Sequence, residues 1–417
     1  MEHSLDLTYH WAGFSALVVF VIAYAFVMAE EFTHLRKSKP VVLAAGLIWG
    51  MIAIAYSNTP HYEMVEHEIR HSFLEYTELA FFLLVAMTYI NALEERNVFN
   101  SLKSWLIKNQ FSYRQLFWIT GVLAFFLSPL ADNLTTALVL CAVVVAVGSS
   151  SPKFVGLACV NIVVAANAGG AFSPFGDITT LMVWQAGQLD FLQFFALVIP
   201  SVVNYIIPAS IMHFFVSDHK PDVAETSVTI KYGGKTIILL GLLTIVTAVS
   251  FHNFLHLPPV FGMMTGLAYL QLYSFYIKIS VKDIEEQKYD FFENVARVEW
   301  DTLLFFFGVI LSVGGLGFIG YLEYVSEFMY TDLGATTANV LVGILSAIVD
   351  NIPVMFAVLT MEPAMPDSQW LLVTLTAGVG GSMLSIGSAA GVALMGQSRG
   401  MYTCLLYTSD AADERSG

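Results

Sequence analysis

Long apolar runs separated by short polar segments make up most of the chain. Between Asp6 and Glu30 there is no Asp, Glu, Lys or Arg, and residues 11–29 have about the 20 residues that a helix needs to cross a bilayer. Further apolar runs lie at residues 41–56, 75–93, 116–148, 154–170, 191–216, 235–251, 257–276, 301–322, 335–361 and 370–395. The runs 116–148 and 335–361 are too long for one crossing and contain polar residues, so each is predicted to hold a helix and a re-entrant hairpin. The pattern predicts an all-α polytopic membrane protein.

The composition favours the same class. Of 417 residues, 57% are hydrophobic and 12% are charged, whereas soluble domains carry about 25% charged residues. A net charge of −15 argues against nucleic acid as a partner, because binding it needs a basic surface. Three cysteines, at positions 141, 159 and 404, form no CxxC motif and predict neither a disulfide framework nor a zinc cluster. We expect no enzyme, no cofactor and no soluble protein partner.

Basic residues occupy alternate loops. Of the 18 Lys and Arg residues, 14 lie in these loops: Arg36, Lys37, Lys39, Arg96, Lys103, Lys108, Arg114, Lys220, Lys231, Lys235, Lys278, Lys282, Lys288 and Arg297. The positive-inside rule predicts that these loops are cytoplasmic and that the segments 57–68, 252–259, 323–334 and 362–369, which lack Lys and Arg, are external. No basic residue precedes Arg36, so the first run is a transmembrane helix and not a signal peptide. We expect a multi-pass protein of the bacterial inner membrane with a periplasmic N-terminus.

Three landmarks recur in the same order in both halves of the chain. They are a Glu before a Phe pair (Glu75 and Glu299, offset 224), SPLADNLT at 128–135 against SAIVDNIP at 346–353 (offset 218), and a Gly pair at 169–170 and 380–381 (offset 211). The basic loop after the third span corresponds to the acidic segment 323–334, which predicts inverted topology, as in secondary transporters. Residues 1–216 are assigned to the first repeat, 217–234 to a cytoplasmic linker and 235–403 to the second repeat.

Carboxylates inside apolar runs are costly and so indicate function. Asp132 lies in the run LSPLADNLTT, where a proline weakens the helix and freed backbone groups need partners. Asn133, Thr135 and Thr136 can supply oxygens there. In the second half Asp350 and Asn351 repeat the arrangement, with Ser346 one turn earlier. A helix kink capped by Asp and Asn is the alternative.

The run 167–180 (NAGGAFSPFGDITT) has three glycines and a proline beside Asp177. This predicts an unwound mid-membrane segment that exposes carbonyls, lined by Asn167, Thr179 and Thr180. The corresponding segment 380–391 holds Ser382, Ser385 and Ser388 but no carboxylate. The site is therefore predicted to be symmetric in construction and asymmetric in charge. Glycines that only let helices pack closely are the alternative.

Three titratable residues near the third span are accessory candidates. Glu78 lies one turn deeper than Glu75 and is the better candidate for a proton or cation relay, since Glu75 can also be a solvated helix end. His71 is the nearest to the span of a histidine cluster predicted in the external loop, with His61 and His67. A pH-sensing role and a plain solvated acidic loop both remain open for this cluster.

No Lys or Arg is expected at the inner positions. Buried carboxylates among neutral oxygens favour a hard monovalent cation or a proton. Because a proton and a cation would compete for the same carboxylates, alternating access would then give antiport.

The runs 128–136, 167–180 and 346–353 resemble the NhaD-type sodium/proton antiporters of the ion transporter superfamily, and the resemblance covers residues 1–403. It implies exchange of internal Na⁺ or Li⁺ for external H⁺. It also implies two inverted repeats, each with a re-entrant helical hairpin and a broken transmembrane helix, in a homodimer with scaffold and transport regions. By motif position the ion-site candidates are Asp132, Asn133, Asn167, Asp177, Thr179, Thr180, Ser346, Asp350, Asn351, Ser385 and Ser388, with Thr135 and Thr136 from the same run and with Glu78, His71 and Glu75 as accessory groups.

Two other functions fit the sequence less well. A carrier of the same superfamily for dicarboxylate, citrate or arsenite would need neutral hairpin tips to hold an anion, whereas both tips here carry Asp. A channel or a receptor fits inverted repeats poorly.

The end of the chain departs from the repeat. With the offset of 211, Thr403 corresponds to Leu192, at the start of an apolar run. The second repeat should therefore continue with a span, but residues 404–417 are short and polar. We expect a non-native tail after an incomplete second repeat; a natural polar tail is the alternative.

Overall fold

The computed structural model describes residues 5–148, 151–220, 228–280, 289–383 and 391, and in these segments the regular structure is helical with no strand. The first half contains α1 (Trp11–Met28), α2 (Glu30–Thr33), α3 (Ser38–Tyr56), α4 (Tyr62–Glu95), α5 (Val98–Lys108), α6 (Tyr113–Ala131), α7 (Asn133–Val147), α8 (Pro152–Gly170), α9 (Ile178–Gln185), a 3₁₀ helix (Phe191–Leu197) and α10 (Val198–His213). The second half contains α11 (Gly234–Leu255), α12 (Pro259–Ser280), α13 (Phe291–Ala296), α14 (Trp300–Phe318), α15 (Tyr321–Ser326), a π-helical turn (Glu327–Asp332), α16 (Ala335–Ser346), α17 (Asn351–Met361) and α18 (Asp367–Gly380). Among the described residues, nine helices are long and apolar enough to cross a membrane. The predicted all-α polytopic class is confirmed.

The loops gather at two opposite ends of the bundle. At one end, which we call the basic end, the Lys231 amide donates to the Arg96 carbonyl and the Tyr113 amide to the His219 carbonyl. At the other, the acidic end, the Leu7 amide donates to the Ile319 carbonyl and the Tyr56 hydroxyl bonds the backbone of Leu5. Loops predicted to be rich in basic residues thus meet at one end.

Two helical hairpins lie in the bundle. Each of the runs 116–148 and 335–361, predicted to hold a helix and a hairpin, contains only the two arms of one hairpin. The first is α6–α7, and its tip, Asp132, has φ 55° and ψ 160°, a region that side chains rarely adopt and that costs on the order of 1–3 kcal/mol. The second is α16–α17, with Asp350 just before α17. Each hairpin places an Asp-Asn pair where one helix stops and the next begins.

The same two contacts fix each hairpin to its neighbour. In the first half the Ser128 hydroxyl donates to the Ala166 carbonyl over 2.6 Å, and in the second half Ser346 donates to Ala377 over 2.6 Å. These pairs are related by the offsets of 218 and 211 found in the sequence. The matched contacts support the predicted repeat.

The structure corrects two local expectations. Helix α4 has 34 residues and starts at Tyr62, so His67 and His71 lie on a helix and only His61 remains in the loop. An 11-residue helix, α5, occupies the basic segment predicted as a loop. Ser385, Ser388 and the tail 404–417 lie outside the described residues.

Candidate ion site

Asp177 is the centre of the polar groups inside the bundle. It is only 3% exposed and caps α9, with Oδ1 accepting from the Thr179 amide and hydroxyl, each over 2.9 Å. Oδ2 accepts from Asn133 Nδ2 of the first hairpin over 3.0 Å. Asn351 Nδ2 of the second hairpin lies 3.3 and 3.4 Å from the two oxygens. Both hairpin tips therefore meet at one carboxylate.

The last turn of α8 completes this arrangement: the helix continues to Gly170, so Asn167 is helical and the predicted unwound segment covers only residues 171–177. Asn167 is fully buried; its Oδ1 accepts from Asn133 Nδ2 over 3.0 Å and its Nδ2 donates to the Ser382 hydroxyl over 2.8 Å. Ser382 follows α18, so the second repeat reaches the same centre. Residues of both repeats therefore lie around Asn167 and Asp177.

Asp132 lies at the first tip and is held by its own helix. Oδ1 accepts from the Thr135 amide over 2.7 Å and Oδ2 from the Thr135 hydroxyl over 2.9 Å. The backbone groups freed by the break have partners across the site: the Ser173 hydroxyl donates to the Pro129 carbonyl over 2.9 Å, and the Asn133 amide donates to the Gly176 carbonyl over 2.9 Å. This satisfies the backbone as a membrane interior demands.

Gly176 allows the non-helical segment between α8 and α9 to pack closely against the end of α6. A Cβ there would lie 2.6 Å from Gly170 Cα and 2.9 Å from Pro129 Cα. A larger residue would push the tip of the first hairpin away from Asp177.

Asp350 has a different partner. Its Oδ2 lies 3.1 Å from Lys37 Nζ, and its buried Oδ1 has no hydrogen-bond partner among the described residues. The expectation that no basic residue reaches the inner positions is therefore wrong. Lys37 directly precedes α3, which starts at Ser38, and its side chain is only 20% exposed. The positive-inside rule, which counts Lys37 as a loop residue, predicts instead that this side chain lies in solvent.

The remaining candidates divide into two groups. The hydroxyls of Thr136 and Thr180 are buried and have no hydrogen-bond partner among the described residues, and neither residue lines the cavities described below. Thr135, Thr179 and Ser346 instead bond Asp132, Asp177 and the Ala377 carbonyl.

A cavity of about 120 Å³ leads from the basic end to this centre. Asp132, Asn133 and Asp177 line it. Arg297 and Glu299 line it too, and both are exposed, so the cavity reaches the surface at that end. These two residues and Lys37 line the cavity although the sequence does not predict them as ion-site residues: the positive-inside rule places Lys37 and Arg297 in loops, and Glu299 is a landmark of the repeat.

A second cavity of about 440 Å³ enters from the acidic end. It contains the accessory candidates His71, Glu75 and Glu78 together with Glu68 and Glu362. His71 Nδ1 lies 3.9 Å from Glu75 Oε1. The structure brings these residues to one another but not to Asp177, which lines the other cavity.

A thin apolar layer separates the two cavities. On α9, Leu181 lines the first cavity and the adjacent Met182 the second; on α14, Phe306 lines the first and Ile310, one turn away, the second. All four are at most 6% exposed. One helical turn is about 5.4 Å, so the linings of the two cavities lie about one turn apart along α14.

A helical membrane bundle in which two broken hairpins bring a buried carboxylate and amides to its centre has the architecture of a secondary transporter. The family model described as Citrate transporter matches residues 11–378. The chain is 55% identical to the Na(+)/H(+) antiporter NhaD of Vibrio cholerae, over 97% of this chain and 89% of that protein. It is 54% identical to the NhaD antiporter of Halomonas elongata, over 96% of this chain and 85% of that protein. It is 33% identical to Sodium/proton antiporter 1 of Arabidopsis thaliana, over 92% of this chain and 67% of that protein.

The chain belongs to the NhaD family of Na⁺/H⁺ antiporters. It is thus a multi-pass bacterial membrane transporter and not an enzyme.

Proposed function

We propose that this protein exchanges Na⁺ or Li⁺ for H⁺ at the site around Asp177. The observation that carries the proposal is the meeting of both hairpin tips and the unwound segment at one buried carboxylate, in a cavity that also holds Asp132. Asn133 and Asn351 now donate to Asp177 through their amide nitrogens. Rotation of either amide by about half a turn would present its oxygen instead, so a cation could replace these donors.

The charges favour a cation as cargo. Asp132 and Asp177 both line the basic-end cavity, and Asn133 and Asn351, which line it too, can present neutral oxygens of the kind that hard cations prefer. A proton can neutralise the same carboxylates. Competition between the two for one site couples their movements.

Two cavities separated by one helical turn support alternating access. The described conformation reaches the site from the basic end, which we propose faces the cytoplasm because it gathers the basic loops. Cytoplasmic Na⁺ would then bind from that side, and protons would enter through the acidic-end cavity past Glu75 and Glu78.

An anion is the second candidate cargo, because the matching family model is described as Citrate transporter and Arg297 lines the basic-end cavity. Against it, the cationic Lys37 is already paired with Asp350, and Asp132 and Asp177 would repel a carboxylate. One assay distinguishes the two candidates.

Everted membrane vesicles from cells that lack other Na⁺/H⁺ antiporters are acidified inside, and a pH-sensitive dye follows the lumen. Addition of Na⁺ or Li⁺ should dissipate the gradient, and addition of citrate should not. Asp177→Asn and Asp132→Asn should each abolish the response at unchanged expression, whereas Asp332→Asn, a change at an exposed residue, should leave it intact. Citrate uptake without any cation response would refute the proposal.

A further inference from the structure

The two hairpin tips occupy equivalent positions in the repeats but are neutralised differently. Asp132 accepts two hydrogen bonds from Thr135 of its own helix. Asp350 caps α17 without a hydrogen bond from its own helix and accepts instead from Lys37, which is 313 residues away in the sequence. The cation at the second tip therefore comes from the other repeat of the same chain.

An aromatic ring holds Lys37 in this position in addition to its ion pair with Asp350. Its ammonium lies 4.4 Å from the centroid of the Phe305 ring, and Phe305 is fully buried; an ammonium over an aromatic face is attracted by the ring. The side chains of Lys37 and Asp350 are only 20% and 13% exposed. Bulk cations therefore have little access to Asp350 while Lys37 is present.

A lysine ammonium is a compact monovalent point charge and so can stand in for a monovalent cation. The residue after Asp350, Asn351, reaches Asp177, so the second tip adjoins the ion site. Without Lys37, each of the two hairpin tips would present an unpaired Asp to incoming cations.

We propose that Lys37 is the built-in cation of the second hairpin tip and that it limits the protein to one transported cation per chain, bound on the Asp132 and Asp177 side. This inference rests on the proposed function, since it concerns the number of cations that the same site accepts. Lys37 is in this view a specificity-determining residue, and Asp350 is its partner and not a ligand of the transported ion.

The test counts bound ions. Equilibrium binding of radioactive ²²Na⁺ to the purified full-length chain is measured at saturating Na⁺ over a series of alkaline pH values, where carboxylates are ionised. The wild-type protein should bind one Na⁺ per chain. Lys37→Met keeps much of the apolar stem and removes the charge, so it should bind two. Lys39→Met, a matched control at an exposed lysine two residues further along the chain, should still bind one, and so should Lys37→Arg.

A second variant covers the case in which Lys37→Met does not fold. Asp350→Asn should retain one bound Na⁺ with weakened affinity, because the ammonium of Lys37 is then uncompensated near the site. A second Na⁺ is a gain that a merely structural ion pair would not produce. Binding of one Na⁺ by folded Lys37→Met, or loss of all Na⁺ binding by folded Asp350→Asn, would overturn the inference. Absence of both Na⁺ binding and Na⁺-driven proton release in the wild-type protein would instead refute the proposed function.

Discussion

Alanine at Gly169 should separate the first hairpin from α8. A Cβ at Gly169 would lie 2.2 Å from the carbonyl oxygen of Phe125, so the α6 backbone must retreat by about 0.8 Å to reach the 3.0 Å below which real Cβ contacts essentially do not occur. Overpacking of this kind costs about 1–3 kcal/mol, and the better helix propensity of alanine offsets up to about 1 kcal/mol of that. We expect a net loss of roughly 1–2 kcal/mol in stability.

The effect on transport should be larger than the effect on stability. A retreat of α6 lengthens the 2.6 Å bond from Ser128 to Ala166 and moves the tip away from Asp177. In enzymes a misplacement of about 1 Å can lower rates on the order of 100-fold, and we expect a similar loss, roughly 10- to 100-fold, in Na⁺-driven proton release. The equivalent Gly380, whose Cβ would lie 2.2 Å from the Gly343 carbonyl oxygen, should respond alike.

The measurement combines thermal unfolding in detergent with the vesicle dye assay. Gly46→Ala is the matched control, because a Cβ there meets no atom within 4 Å on a helix, where alanine is favoured by about 1 kcal/mol. If Gly169→Ala were as stable and as active as Gly46→Ala, the close approach would not hold the hairpin in place.

Three further outcomes follow from the structure. Ser128→Ala and Ser346→Ala should each lower the free energy of unfolding by about 1 kcal/mol, and a large difference between them in chemical denaturation would argue against equivalent hairpins. In a background without the natural cysteines, Ser57→Cys should react with an impermeant maleimide in intact cells and Asn109→Cys only in everted membranes; the reverse would invert the proposed orientation. Glu78→Gln should slow exchange most when the proton concentration at the acidic end is low, and an unchanged rate under those conditions would exclude Glu78 from the proton path.

The sequence predicted the elements of the site well because each break in a helix has a local cause. A proline precedes Asp132 and glycines precede Asp177, and the helices do stop and restart there. The repeat placed Asp350 at a second tip by its offset alone, before any tertiary contact was known. The local causes of the helix breaks and the internal repeat are therefore sufficient to predict that Asp132, Asp177 and Asp350 each lie where a helix begins.

Lys37 was missed for the opposite reason. A lysine at the end of a loop satisfies the positive-inside rule whether it points to solvent or inward, and only its contact with Asp350 distinguishes the two. That contact joins residues that no local pattern relates. The start of α4 at Tyr62 was missed similarly, because the polar segment 62–74 has the composition of a loop and becomes helical as an extension of the apolar span.

The packing contacts that hold the two hairpins, which we call the frame of the site, are the same in both halves. The charged residues at the site differ between the halves. Ser128 and Ser346 make the same bond, and Gly169 and Gly380 allow the same close approach, so the two halves offer similar packing. Asp177 belongs to one half only, since the corresponding segment carries serines, and Lys37 neutralises the tip of the other half. We infer that the symmetry of the frame allows access from either end, while the asymmetry of the charges keeps the transported cation at one position throughout.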